Sequence, residues 1–151
     1  MKSIFKIRTA ISLAMCMAFA LTFFTGCDKS DGGNSMDVRD GYTGTYRVHE
    51  VVRYMDGSVD TDDYNSTITK SSANNKDLII TNILNAGAGI SVIITVDGDS
   101  FTIPQQSITV EGIGAGLSGS GRRTGNSLNF SVFVNLTGFG QVNYECSASK
   151  L

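Results

Sequence analysis

Residues 128 to 136 read LNFSVFVNL, and every second position is apolar: Leu128, Phe130, Val132, Val134 and Leu136. Asn129, Ser131 and Asn135 fall between them, with Phe133 as the one large apolar residue on the polar parity. A period of two sustained over nine residues predicts a strand with one face buried. Working outward, Gly125-Asn126 turns the chain before this strand and TGFG, 137 to 140, turns it afterwards. Val142, Tyr144, Cys146 and Ala148 then resume the alternation. Upstream, GIGAGLSGSGRR, 112 to 123, reads as a sharply bent strand.

The same grammar runs back to Gly41. In YTGTYRVHEVVRY, 42 to 54, Tyr42, Tyr46, Val48, Val52 and Tyr54 share one parity. Glu50 breaks that face, and Val51 breaks the polar one. Tyr64, Ser66 and Ile68 alternate next, followed by KDLIITNIL, 76 to 84, and ISVIITV, 90 to 96. Asp97-Gly98 marks a tight hairpin, because glycine takes positive φ there. SFTI and QSITV flank Pro104, which cannot donate to a ladder and so belongs at an edge, bulge or break. Eight or nine strands at this spacing, with no helical period between them, predict an all-β sandwich or barrel. Short connections favour a single antiparallel up-and-down meander of about eight strands, closed or nearly closed as a β-barrel. Sixteen glycines after Cys27 suit strands that bend sharply.

The opening Tyr42-x-Gly44-x-Tyr46-x-Val48, then Ile80-Thr81-Asn82, Ile103-Pro104-Gln105-Gln106, Gly119-Ser120-Gly121 and Tyr144-x-Cys146 carry a resemblance over nearly all of 41 to 151. In that order they resemble the small lipocalin-like (calycin-like) lipoproteins of Bacteroidetes-type bacteria. Gly44-x-Tyr46 stands where true lipocalins have Gly-x-Trp, and the chain has no tryptophan. The resemblance implies a lipocalin-like barrel in the cell envelope.

The N-terminus gives an address. Lys2, Lys6 and Arg8 precede sixteen uncharged residues, 9 to 24, TAISLAMCMAFALTFF. This is the pattern of a secretory signal, and the run is shorter than the roughly 20 residues of a spanning helix. Phe24-Thr25-Gly26-Cys27 resembles the bacterial lipobox, with Phe24 where leucine is usual. The chain is thus expected to divide into a lipoprotein signal peptide, 1 to 26, a lipidated Cys27 with a flexible tether to residue 40, and a barrel domain, 41 to 151. Several acyl chains on one thiol give stable membrane anchoring, which a single chain does not. The polar stretch after the cysteine resembles those of surface-exported lipoproteins and points to the outer membrane. The lipid bilayer, held through acylated Cys27, is the first expected partner.

From Asp28 onward the chain holds 9 Lys/Arg against 14 Asp/Glu, a formal charge of −5. Nucleic acid would call for a basic patch, and Arg122-Arg123 is the only basic pair. With Cys16 in the signal and Cys27 lipidated, Cys146 has no internal disulfide partner, and its parity predicts a buried small hydrophobe.

Catalytic patterns are thin, and no enzyme is expected. His49 is the only histidine and falls on the polar parity. A hydrolytic base needs a nucleophile and an orienting acid, and an imidazole metal site needs more histidines or thiolates than these. Gly114 to Gly119 spells GxGxxG without the helix that a dinucleotide site requires. Asp56, Asp60, Asp62 and Asp63 cluster without EF-hand spacing, and read as a solvated acidic turn. No cofactor is expected. Tyr42, Tyr46, Val48, Val52, Tyr54, Phe101, Phe130, Val132 and Tyr144 are the candidates to line an interior cavity for a small apolar ligand. The alternative is an assembly or interaction lipoprotein with a filled barrel and no ligand, marked by Phe133 and Phe139 outside. A hydrolase is the third and weakest reading. An open interior above ~300 Å³ would favour ligand binding, and a solid one an envelope protein partner.

Overall fold

The structure, a computed structural model, describes residues 36 to 54 and 56 to 151. Cys27, the signal peptide and most of the expected tether lie outside the described residues. The eight strands are β1 (Gly44–Arg53), β2 (Val59–Lys70), β3 (Asp77–Thr81), β4 (Ser91–Asp97), β5 (Ser100–Val110), β6 (Ile113–Thr124), β7 (Ser127–Leu136) and β8 (Gly140–Lys150). Each pairs antiparallel with the next, and β8 returns to β1 from Tyr46↔Lys150 to Arg53↔Asn143, closing the barrel. Closure gives every strand a neighbour on each side along part of its length, so the sheet has no terminal edge strand.

The alternation decides which side of each strand faces inward. Val48, Ile68, Ile80, Ile94, Ile103, Leu117, Val132 and Ala148, one from each strand, are all buried. The two segments around Pro104 form a single strand, so the described residues hold eight strands rather than nine. A register shift between Ile103 and Gln106 places a bulge at the proline, where no N–H is needed. Past that bulge β5 leaves β4, and only Thr95↔Thr102, Val96↔Phe101 and Asp97↔Ser100 pair between them. The Gln106 side chain stitches the seam above. Its Oε1 accepts from Ile93 N–H (3.0 Å) and its Nε2 donates to Ile93 C=O (2.9 Å), as a paired peptide would. The β5–β6 ribbon then reverses at Glu111-Gly112, both with positive φ (51° and 84°), the mirror-image turn that matches strand twist.

Two plugs cap the ends. At one end a 3-10 turn, Val38–Gly41, leads into fully buried Tyr42. The Tyr42 O–H donates to Gly98 C=O (3.0 Å), Tyr46 O–H donates to Tyr42 C=O (2.9 Å), and the Arg123 guanidinium lies 5.1 Å from the Tyr42 ring centre. Residues 37 to 40, polar enough to read as tether, are tied to the barrel. Arg39 donates to the carbonyls of Ser71 and Asn74, and Lys70 pairs with Asp37 and Asp40. Arg39 and then Lys70 hold the Asp37 carboxyl well below the usual carboxylate range. At the other end the segment from Asn82 to Ile90 folds over the mouth and inserts Ile83, which is fully buried.

Candidate functional site

The interior is filled by its own side chains. Tyr42, Tyr46, Val48, Phe101, Phe130 and Val132 are buried and pack together, Tyr144 packs half-buried against them, and Val52 is buried as well. Phe101 lies between two other rings, edge-on to Tyr42 (6.0 Å) and tilted against Phe130 (5.9 Å). Tyr54 departs from the expectation. It follows the last residue of β1, has no wall to cover it, and is 43% exposed.

Glu50, which broke the apolar face of the first strand, does point inward and is 4% exposed. Tyr64 O–H donates to its Oε2 at 2.8 Å and accepts from the Leu84 N–H at 3.0 Å. Burial raises the Glu50 carboxyl above its ordinary value, and the Tyr64 bond partly offsets that. Cys146 lies opposite Glu50 on β8, and burial pushes its thiol up to about 12. A buried thiol at that value holds almost no thiolate near neutrality, and thiolate is the reactive form. Iodoacetamide should therefore leave Cys146 unmodified in the folded protein and alkylate it within minutes in denaturant, as read by intact mass.

The charged candidates are dispersed. His49 faces solvent with Nδ1 3.3 Å from Asp63 Oδ1. Ser147 stands opposite His49 across β1–β8, so an acid, an imidazole and a hydroxyl fall in one row on the outer wall. No hydrogen bond joins His49 to Ser147 among the described residues. Mid-sheet N–H groups are used in ladders and cannot stabilise an oxyanion. Asp56 closes its own turn by accepting from Ser58 N–H and O–H, which lowers its carboxyl, while Asp62 accepts from Asn85. Among the described residues no three His, Cys, Asp or Glu side chains converge on a metal position. Gly114 to Gly119 lie within β6, not at a helix.

A depression of about 550 Å³ lies outside, on the wall of β6, β7 and β8. Outward positions line it: Ser118 on β6, Phe133 and Asn135 on β7, Gln141 on β8, and Gln105 at the bulge. Gly116 and the Thr137–Gly140 turn supply its floor and end. Phe133 is 55% exposed, and Phe139, in that turn, 73%. Asn143 pairs with Phe133 across β7–β8, and its Oδ1 is buried without a partner. The off-parity Phe133 was visible in the sequence. The groove was not, because it depends on which residues of three strands stand side by side. A second depression, about 300 Å³, is shallower and runs past His49, Val51 and Glu145.

Among the described residues no helix is long and apolar enough to cross a membrane. No family model matches the chain, and no curated protein does. Among solved structures it is similar to the monomer form of the M. tuberculosis PknI sensor domain, at 11% identity over 72% of this chain and 86% of that one, with a TM-score of 0.44.

Proposed function

We propose that this protein is a lipid-anchored lipoprotein of the cell envelope whose barrel is a rigid interaction module, binding an envelope partner with its outer wall. One observation carries the reading: buried side chains fill the interior, while a depression of about 550 Å³ and an exposed aromatic ring lie outside it. A carrier of apolar ligands needs an enclosed space lined by apolar side chains, and here those side chains occupy the space themselves. The anchor rests on the lipobox-like Phe24-Thr25-Gly26-Cys27 and the charge pattern before it. Docking of residues 37 to 40 at one end of the barrel sets where a tether would leave it.

Two measurements test the two halves. The native product should carry fatty-acyl mass and fractionate with membranes, and Cys27→Ser should be soluble. An acyl-free native product ends the anchor. A photo-crosslinking residue at position 133 should trap a defined adduct in intact cells, whereas one at Thr67, three strands round the barrel, should not. Equal labelling at both positions, or none at 133, ends the outer-wall reading.

A further inference from the structure

We infer that the groove on β6–β8 binds a neutral saccharide chain, an inference that rests on the outer-wall reading and names the chemistry of its partner. Its lining is unusual for this chain. The protein carries 14 acidic and 12 basic residues, yet no ionisable side chain lines the groove. Its polar lining is the amides of Gln105, Asn135 and Gln141 and the hydroxyls of Ser118 and Thr137, and its apolar lining the Phe133 ring with Leu117, Val134 and Leu136. Among the described residues none of those five polar side chains is hydrogen-bonded within the protein. The contrast with the neighbouring glutamine is direct, since Gln106 commits both ends of its amide to the β4 backbone.

Each amide offers a donor and an acceptor. A sugar hydroxyl is likewise both, so a polyhydroxylated ligand can satisfy several amides without adding charge. An exposed aromatic face takes the C–H side of a pyranose ring as it takes any apolar surface, at little cost in side-chain entropy. An ionic ligand finds no counter-charge here. A peptide seeking to extend the sheet finds no edge, because β7 is paired on both sides along the groove.

Gly116 gives an independent pointer. It lies within β6, outside the left-handed region, and a Cβ built on it would meet nothing within 4 Å. Neither backbone conformation nor crowding calls for glycine at this position. A glycine inside a strand weakens it, and often marks a bulge, a tight bend, or a site where a ligand or another backbone approaches closely. A side chain at 116 would project into the groove.

The test uses the full-length lipoprotein in detergent, with maltohexaose, cellohexaose, xylohexaose, mannohexaose and chitohexaose followed by ligand-observed NMR. At least one should bind with a Kd below ~10 mM, a weak affinity suited to a shallow site. Phe133→Ala should weaken that binding about tenfold. Gly116→Val should abolish it while the thermal midpoint stays equal or rises, a combination that a merely structural role for Gly116 would not produce. Failure of all five sugars, or binding that survives both substitutions, overturns the inference. If the sugars fail while position 133 still cross-links in cells, the saccharide is removed and the outer-wall reading stands.

Discussion

Replacing Gly119 with alanine should destabilise the barrel by about 3 kcal/mol, the upper end for overpacking. For a domain of this size that lowers the melting temperature by roughly 10 °C. The reason is local. A Cβ at 119 would lie 2.2 Å from the Ser131 carbonyl oxygen and 3.1 Å from Ile103 Cδ1. The oxygen belongs to the backbone of β7, whose ladder with β6 fixes it, so no side-chain rotation relieves the clash. Gly121, two residues on, is closed in the same way by Phe101 and Phe130 at 2.4 Å. Those two rings use the volume that a side chain there would fill. Gly116→Ala is the control, and urea midpoints should place it within ~0.5 kcal/mol of the parent. Equal midpoints for the 116 and 119 variants would refute this account of the packing.

Tyr64→Phe should cost about 1 kcal/mol at pH 4 and about 3 kcal/mol at pH 8. Two losses combine. The Leu84 N–H loses its acceptor at every pH, and the Glu50 carboxylate loses its donor wherever it is charged. The direction with pH follows from burial. Glu50 titrates above its ordinary value near 4.5 in the folded protein, so the folded state holds the proton longer than the unfolded one. Stability is then unaffected below the unfolded value and falls as pH rises through the folded value. Removing the Tyr64 hydroxyl raises the folded value further and steepens the fall. Glu50→Gln should remove this part of the pH dependence, and urea titrations of the parent and both variants between pH 4 and pH 8 would show it. A Tyr64→Phe cost that is constant with pH would mean that Glu50 is not the charged partner.

The barrel was legible because its evidence is local. Period-two alternation in β7 and β8, Asp97-Gly98 at a turn and Pro104 at a bulge each need only a few neighbouring residues. What escaped depends on partners distant in sequence. Glu50 could be read only as an imperfection, since the hydroxyl that makes its burial tolerable is on β2. Gly116, Gly119 and Gly121 are the same letter in one glycine-rich strand. Only the register with β5 and β7 shows that one opens onto the groove while the others face backbone or rings. Ile83 looked like the tail of a strand. It is instead a plug, because Asn82, Leu84 and Asn85 take left-handed conformations that no propensity scale favours for leucine. Tyr54 had the right parity and failed by one residue, where the strand runs out.

The seam above Pro104 has a mechanical consequence. Between Gln106 and Ala115 the β5–β6 ribbon is supported along β6 by β7 only at its base, and toward β4 by a single side chain. It is a cantilever mounted on an otherwise hooped cylinder, with its hinge beside Gln105. Its free length holds none of the residues that line the outer cleft, so bending such a beam leaves the cleft, the hoops behind it and the packed filling they enclose in their own shape. Compliance and strength therefore reside in different parts of one wall, and the ribbon can flex without loosening the fold.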